Sequence, residues 1–256
     1  MNIDGPSWQW LGLGPRWRLR RQTKKGNEIT SESGAGPVEV ETAPGKPETE
    51  SPLLASTERP DIEKLDWSQL IDAIETCRSC ALCRQRTQTV PGVGDREAAC
   101  LFIGEGPGAE EDQRGEPFVG KAGQLLDAML QSIGFSRGYG VYITNTVKCR
   151  PPDNRTPEAG ELAACWPFLD RQIELIQPRL IVALGRPAAQ VLLQQEIRIS
   201  SIRGHIHHYK GVPLIVTYHP AYLLRNQPDK AKAWEDLCLV RQTLTQLDPP
   251  AAEGTP

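Results

Sequence analysis

The sequence predicts an α/β protein in the form of a three-layer sandwich with a central, mainly parallel sheet of four strands. Short apolar runs rich in β-branched residues alternate along the chain with longer stretches of helical spacing. Strands that alternate with helices are joined by crossover connections, which make the strands parallel and cover both faces of the sheet. No internal repeat interrupts this alternation.

Four segments have the composition of buried strands, and each is closed by glycine or a polar residue. They are Cys100–Gly104, Val141–Asn145, Arg179–Gly185 and Pro213–Tyr218. In sheets of this kind, ligands bind beyond the carboxyl ends of the strands. The first candidates for a functional site are therefore the GEGPG segment that begins at Gly104, Asn145, and His219 between Tyr218 and Pro220.

Four other segments have the spacing of amphipathic helices. They are Ala122–Ile133, Thr156–Ile176, Arg186–Gln194 and Ala231–Leu247. In the second, Thr156 is a suitable N-cap and Pro157 suits the first helical position. We interpret an acidic run ahead of the first helix as a solvated face or as a source of pocket carboxylates; it comprises Glu110, Glu111 and Asp112.

Composition divides the chain of 256 residues into a domain at 61–246 and two tails at 1–60 and 247–256. Residues 26–60 contain Ser, Thr, Glu, Pro and Gly with few aliphatic residues, and such a segment cannot bury enough surface to become ordered. Residues 1–25 carry six cations and three tryptophans. This basic tail is either solvated or a contact for nucleic acid or for a replication or repair protein.

Charge and hydropathy exclude several classes of protein. A net charge of −3 at pH 7 argues against coating nucleic acid by bulk charge. No apolar run approaches the roughly 18 residues of a transmembrane helix, and the chain does not start with the apolar stretch of a secretory signal. We therefore expect a cytoplasmic protein that does not contact membranes.

Seven cysteines without an export signal favour metal binding or reduced thiols over a disulfide framework. Two lie in apolar segments and are interpreted as core residues, namely Cys100 and Cys238. The other five lie in a C-x₂-C-x₂-C run and further along the chain: Cys77, Cys80, Cys83, Cys149 and Cys165. Five candidates remain for four positions, and either Zn²⁺ with four thiolates or a [4Fe–4S] cluster would fit.

The segment GEPFVGKA at 115–122 has the frame of a phosphate-binding loop but lacks its required partners. Ala122 stands where such loops need Ser or Thr to bind magnesium, and no predicted strand leads into the segment. We therefore expect no nucleotide cofactor. Lys121 could still contact a phosphate of a nucleotide or a nucleic acid, because the N-terminus of the next helix presents free N–H groups.

Four longer motifs follow one another along the domain: GEGPGAEED at 104–112, GEPFVGKAGQLLD at 115–127, VYITNTVKCRPPDNRTP at 141–157 and HPAYLLRN at 219–226. Together they resemble the family 4 uracil-DNA glycosylases, the iron–sulfur branch of the uracil-DNA glycosylase superfamily. The resemblance covers roughly residues 70–246 and implies the fold of that superfamily and hydrolysis of the N-glycosidic bond of uracil in DNA, which initiates base excision repair. It also implies one [4Fe–4S] cluster whose ligands are Cys77, Cys80, Cys149 and Cys165, with Cys83 as a spare.

The resemblance and the chemistry of the residues together suggest roles in the pocket. Uracil leaves as an anion, so an enzyme must stabilise charge on its O2, and a base inside a duplex must first be flipped out. His219 is placed to donate a hydrogen bond to O2. Asn145 can accept from N3–H and donate to O4. Phe118 resembles the aromatic residue on which the family stacks the flipped base.

One position departs from the best-known branch of the superfamily, which has an aspartate that orients water in the first loop. Here Gly106 takes that place. Glycines at 104, 106 and 108 let the backbone approach the ligand closely. Glu105 is the first candidate for the catalytic polar group of this loop.

The expected partner is uracil-containing DNA, bound by a monomer. Phosphate contacts are predicted for Lys121, Arg150, Arg155 and Arg225. Lys148 lies in the same basic stretch as two of these. Leu223 or Leu224 could fill the gap that the flipped base leaves.

Two alternatives from other functional classes stay open. One is a zinc-stabilised nucleic-acid-binding module with a decayed pocket. The other is a DNA-polymerase-associated interaction domain, because sequences of this type resemble a segment of a phage polymerase. The intact GEGPG segment, Asn145 and His219-Pro220 favour an enzyme, since a binding module has no need of three convergent motifs at strand ends.

Overall fold

A six-stranded sheet forms the centre of the structure, a computed structural model that describes residues 61–247. Its strands are β1 (Val93–Gly94), β2 (Cys100–Gly104), β3 (Val141–Asn145), β4 (Leu180–Leu184), β5 (Ile206–Tyr209) and β6 (Val212–Thr217). They lie in the order β1-β3-β2-β4-β6-β5. The central pairs β3-β2, β2-β4 and β4-β6 are parallel, and both edge strands are antiparallel.

The predicted α/β class and the parallel central sheet are confirmed, and the four predicted strands are β2, β3, β4 and β6. The prediction of four strands missed the two edge strands. The first contains only two residues, which is too short for a periodic signal. In β5 the sequence IHHY is largely polar and mostly outside the core, because one side of an edge strand faces solvent.

Helices cover both faces of the sheet. They are α1 (Trp67–Thr76), α2 (Ala109–Arg114), α3 (Lys121–Ser132), α4 (Ala159–Ile176), α5 (Arg186–Leu193), α6 (Ile199–Ile202), α7 (Pro220–Arg225) and α8 (Lys230–Leu247). The predicted start of α4 at Thr156 is wrong. Its N-cap is Glu158, whose N–H donates to the Glu161 carboxylate, and the same carboxylate pairs with Arg155. These bonds keep the preceding residues extended.

Alternation along β2 separates two hydrophobic cores. Phe102 points into the core shared with α3 and α8, whereas Leu101 and Ile103 point into the core shared with α4 and α5. A third, smaller core joins α1 to α4 around Val147 and Cys149. This third core places the segment after β3 between the sheet and the N-terminal helix.

The predictions for the tails at 1–60 and 248–256, including a partner contact through the N-terminal tail, lie outside the described residues. Helix α8 continues to Leu247, one residue beyond the predicted end of the domain. Within residues 61–247, no helix combines the length and the apolar composition that crossing a membrane would require.

Candidate active site and four-cysteine site

A cleft of about 900 Å³ lies beyond the carboxyl ends of the central strands. It is lined by the loops that follow β2, β3, β4 and β6 and by the segment before α3. The cleft brings together every residue predicted to act on the base, namely Glu105, Gly106, Phe118, Asn145 and His219. The topology explains this convergence, since parallel strands end at the same edge of the sheet.

Asn145 ends β3 and holds a hydrogen-bond acceptor ready in the cleft. The residue is 2% exposed, and its Oδ1 accepts no hydrogen bond within the described part of the chain. Gly104 lies opposite in the register, where a Cβ would come within 2.4 Å of that oxygen. Because buried polar atoms are normally paired, an acceptor left without a donor indicates that a ligand supplies one.

His219 is the N-cap of α7, and its ring is neutral at physiological pH. Its Nδ1 accepts a hydrogen bond of 3.1 Å from the Ala221 N–H, which leaves the proton of the neutral ring on Nε2. Burial, helped by the charge of Arg225, lowers the pKa of His219 to about 4. Gly185 packs against it so closely that a Cβ there would lie 2.9 Å from the His219 Cβ.

Phe118 lies in the cleft with a left-handed backbone, φ +56°. Such a conformation is rare for a bulky residue and concentrates at functional sites. Its ring centroid is 5.5 Å from that of His219. A Cβ at Gly104 would lie 2.5 Å from Phe118 Cζ, so that glycine makes room for the ring as well as for Asn145.

The loop after β2 is pinned to the end of β3, because the Glu105 carbonyl accepts from the Val147 N–H at 3.3 Å. A Cβ at Gly106 would lie 2.9 Å from Val147 Cγ2. The close packing explains the departure noted in the sequence, since an aspartate side chain has no space at this position. Glu105 is therefore the carboxylate that this loop contributes to the cleft lining.

Glu111 belongs to the acidic run for which the sequence left two interpretations open. It lines the cleft and accepts hydrogen bonds from the N–H groups of Gly108, Val119 and Gly120 at 2.9 to 3.1 Å. Asp112 is buried and accepts from the Thr87 N–H. Of the two interpretations of the acidic run, a solvated face is therefore wrong for Glu111 and Asp112, and a pocket carboxylate describes Glu111. Glu111 occupies the third position of a helix that starts after glycine, and this capping-box pattern was the available signal.

The residues predicted to contact DNA divide into two groups. Arg155 and Arg225 line the cleft, and Arg155 is also held by Glu161 at 2.7 Å. Arg150 donates to Asn154 Oδ1, and Lys121 begins α3 at an exposed position outside the lining of the cleft.

Two candidates for the DNA surface are wrong because their side chains are buried. Leu223 is 1% exposed and packs in the core beside α3, whereas Leu224 is 37% exposed. Lys148 is fully enclosed: its Nζ donates to Thr144 Oγ1, the Asn145 carbonyl and Gln172 Oε1 at 2.6 to 2.8 Å. The exposed leucine of the pair is the one that a partner could reach.

A second, small cavity is lined by the side chains of four cysteines: Cys77, Cys80, Cys149 and Cys165. They come from the end of α1, the turn after it, the loop after β3 and the middle of α4. Cys83 lies outside this lining, while Cys100 lies in β2 and Cys238 in α8. We refer to these four cysteines as the four-cysteine site.

Two cations border the four-cysteine site. Arg86 donates from Nη1 to Cys149 Sγ at 2.9 Å and from Nη2 to the carbonyls of Glu75 and Cys77. The backbone N–H of Lys148 donates to Cys165 Sγ at 3.3 Å, and the charge of the Lys148 ammonium opposes the rise in the pKa of that thiol. Burial raises the pKa of Cys165 to about 12 and lowers that of Lys148 to about 8. Thiolates in this cavity would therefore depend on nearby positive charge or on a bound metal group.

The donor set suits a bound metal group. Within residues 61–247, no group of three His, Cys, Asp or Glu side chains already stands in a geometry that holds a metal ion. Four cysteines nevertheless line one cavity, and Arg86 donates to the sulfur of one of them. Thiolates are ligands of both Zn²⁺ and iron–sulfur clusters, so the residues present suit either group.

Comparisons with known proteins agree with this architecture. The family model of the uracil DNA glycosylase superfamily matches residues 91–238. The chain is 40% identical over 185 residues to the type-4 uracil-DNA glycosylase of Pyrobaculum aerophilum, covering 68% of this chain and 93% of that protein. It is 46% identical over 171 residues to that of Archaeoglobus fulgidus, covering 64% and 84%. For that of Thermotoga maritima the identity is 45% over 163 residues, covering 63% and 84%. With its convergent strand ends and its four-cysteine site, this chain belongs to the uracil-DNA glycosylase superfamily and, within it, to the type-4 family.

Proposed function

We propose that this protein is a uracil-DNA glycosylase, which flips uracil out of DNA and hydrolyses its N-glycosidic bond as the first step of base excision repair. The carrying observation is the buried, unpartnered Oδ1 of Asn145 in one cleft with the neutral ring of His219 and with Phe118. Three type-4 uracil-DNA glycosylases at 40 to 46% identity support this assignment.

Base selection follows from the amide of Asn145. Its Oδ1 accepts from N3–H of uracil, and its Nδ2 donates to O4. Cytosine presents an acceptor at N3 and a donor at N4, so both contacts would place like groups together. Because the site is buried, each mismatch would leave polar groups unpaired. Phe118 supplies the surface on which the base stacks.

His219 stabilises the leaving group. Its Nε2–H donates to O2 of uracil as the bond between C1′ and N1 breaks and the electron pair moves to the base. The low pKa keeps the ring neutral, so the hydrogen bond gains most of its strength only as negative charge develops on O2. The N-cap bond from Ala221 fixes the tautomer and the direction of the ring.

Glu105 is proposed to hold the attacking water. The water oxygen forms the new bond to C1′, and the carboxylate accepts the proton that the water loses. Gly106 has no space for the side chain that other branches use for this purpose, which leaves Glu105 as the carboxylate of that loop in the lining of the cleft.

For DNA contact we propose the cations of the cleft and its rim. Arg155 and Arg225 line the cleft and would contact phosphates next to the flipped nucleotide, with Arg150 and Lys121 further along the strand. Leu224 replaces Leu223 as the residue that fills the gap in the base stack, because it is the exposed member of the pair.

The four-cysteine site is proposed to hold one [4Fe–4S] cluster through Cys77, Cys80, Cys149 and Cys165. When bound, the cluster would serve as a structural crosslink between α1, the loop after β3 and α4. Arg86 and Lys148 would offset the charge of the thiolates. Since Asn145 ends β3 just before this loop, the crosslink also supports the pocket.

The decisive experiment measures release of free uracil from a single-stranded oligonucleotide with one uracil, using excess protein in a single turnover. A matched oligonucleotide with thymine at the same position is the control. We expect release from the first and none from the second. Binding of the uracil oligonucleotide without release, by protein with its full iron content, would favour the non-catalytic DNA-binding module instead.

A further inference from the structure

Phe118 is held in its left-handed conformation by contacts on both sides of its backbone. At φ +56° a phenylalanine side chain is crowded by its own peptide, so the surroundings must maintain this state. The residue is 6% exposed, and its ring forms part of the cleft. The groups that hold the backbone therefore also determine where the ring lies.

Arg137 binds the carbonyl groups of Pro117 and Phe118. It comes from the loop between α3 and β3 and lies outside the lining of the cleft. Its Nη1 donates to the Pro117 carbonyl at 2.8 Å, and its Nη2 donates to the Phe118 carbonyl at 2.7 Å. The Asp127 carboxylate accepts from Nε and Nη2 at 3.1 and 2.9 Å and so orients the guanidinium.

Glu111 binds the backbone N–H groups of the two residues after Phe118. Its Oε1 accepts from the Val119 and Gly120 N–H groups at 2.9 and 3.1 Å. Behind them, a Cβ at Gly123 would lie 1.7 Å from the Phe118 carbonyl oxygen, so the first turn of α3 presses on the same peptide. Arg137 thus binds the peptides on both sides of Phe118, and Glu111 binds the peptide after Phe118 and the one that follows it.

We propose that Arg137 is a positioning residue of this site, which acts through the Phe118 backbone to place the ring where the flipped base stacks. This inference rests on the proposed function, because it concerns the same pocket. Bidentate donation to two successive carbonyls needs the planar fork of a guanidinium, so lysine can replace only part of it. Without the hydrogen bonds from Arg137, the Phe118 backbone can relax, and the ring leaves its position beside Gly104 and His219.

The test compares Arg137→Gln with Arg171→Gln in full-length, iron-loaded protein. Arg171 is a matched control: it donates to the Leu65 carbonyl at 2.8 Å, pairs with Glu174 at 3.2 Å and is 20% exposed, against 23% for Arg137, but it lies in α4 outside the cleft lining. We expect about a tenfold slower single-turnover uracil release for Arg137→Gln. Partial recovery is expected for Arg137→Lys, and no change for Arg171→Gln.

A double-mutant cycle separates positioning from a general loss of stability. If Arg137 acts through the ring, Arg137→Gln has no further effect on the release rate in a Phe118→Leu background. An equal loss in both backgrounds, or a loss matched by Arg171→Gln, overturns the inference. Asp127→Asn serves as a second variant, because it weakens the orientation of the guanidinium and leaves both carbonyl bonds possible; it should slow release less than Arg137→Gln does.

The wild-type protein distinguishes failure of this inference from failure of the proposed function. If wild-type protein releases no uracil, the proposed function is wrong. If wild-type protein releases uracil and the Arg137 variants behave like Arg171→Gln, only the positioning role is wrong. The midpoint of thermal unfolding is recorded for each variant, so that rates are compared for folded protein.

Discussion

The base pocket and the four-cysteine site share the segment at the end of β3, but they differ in the charge of the groups that surround them. Asn145 belongs to the pocket, and Cys149 lies in the cysteine site. In the pocket, burial keeps His219 neutral and leaves an acceptor of Asn145 without a donor. At the cysteine site, the Arg86 guanidinium donates directly to the Cys149 sulfur. The residue before Cys149 in the sequence is Lys148, whose ammonium is buried.

This difference reflects when charge is present at each site. A uracil is neutral when it binds, and its negative charge appears only as the glycosidic bond breaks, so neutral donors suffice until then. Thiolate ligands are charged as long as they hold a metal, and burial alone would protonate them, as the raised pKa of Cys165 shows. Cationic side chains therefore border the four-cysteine site, whereas the neutral groups of Asn145 and His219 face the cleft.

Lys148 connects the two regions. Its ammonium donates to the carbonyl of Asn145, and its backbone N–H donates to the sulfur of Cys165. We expect loss of a cysteine ligand to disturb the end of β3 as well, and removal of one pocket side chain that does not contact Lys148 to leave the cysteines in place. The following predictions, in order of expected effect, test this asymmetry.

Cys165→Ala should have the largest effect, with loss of the cluster and of soluble folded protein. The missing thiolate opens the metal site and releases α4 from the loop after β3. Iron content, expected to be about four atoms per wild-type chain, and visible absorbance are the measurements. Cys83→Ala is the control and should keep the iron content and visible absorbance of the wild type, because Cys83 does not line the cavity. If Cys83→Ala lost its iron and visible absorbance while Cys165→Ala kept both, the ligand assignment would be wrong.

His219→Ala should slow the chemical step by about 100- to 1,000-fold, since it removes the donor to O2. Iron content should equal that of the wild type, because the change is confined to the pocket. Base preference should also be unchanged, as O2 is common to uracil and cytosine. Single-turnover release under saturating protein measures the step. A variant that keeps the wild-type rate would remove His219 from the mechanism.

Asn145→Asp should lower uracil release by about five- to 150-fold, from a loss of about 1–3 kcal/mol for the missing donor. The new carboxylate also repels O4 of uracil. A protonated aspartate can pair with the N3 and N4 edge of cytosine, so weak cytosine release should appear and increase at lower pH. Near-normal uracil release would mean that Asn145 is only a turn residue.

The pH dependence of stability should show the smallest effect at neutral pH, because the titration of His219 lies below pH 6.5. The pKa of His219 is lowered from 6.5 to about 4 in the folded protein, so the unfolded chain binds more protons between these values. The contribution of the neutral ring is complete above pH 6.5 and is lost as the pH falls towards 4, by at most about 3 kcal/mol. Denaturant unfolding of wild type and His219→Gln should show this loss only in the wild type. Parallel curves for the two proteins would contradict the burial of the ring.

The central sheet and the positions of Asn145 and His219 at the ends of its strands could be predicted from the sequence, because both depend on local patterns. The four parallel strands are continuous apolar runs, and Asn145 and His219 stand where two of those runs end. The edge strand β5 and the short helix α2 were missed for the opposite reason. Their residues are polar or partly exposed, so neither segment gives a continuous apolar signal.

The burial of individual side chains could not be predicted from local sequence patterns. Leu223 and Leu224 are chemically identical neighbours, and only the packing of α7 against α3 makes one of them core and the other surface. Lys148 resembles a DNA contact in a basic stretch, yet its ammonium is enclosed by two acceptors at the end of β3 and one from α4. No periodic signal in the sequence reports such an arrangement.

By itself, the sequence determined the α/β class, the identity of the residues at the strand ends and the thiols available for a metal group. These follow from local composition and spacing, which act over a few residues. The tertiary structure decided which thiols face one cavity, how Arg137 and Glu111 hold Phe118, and why Gly104 and Gly106 admit no side chain. Those features depend on distances between residues far apart in the chain, and such distances exist only once the sheet and its helices have packed.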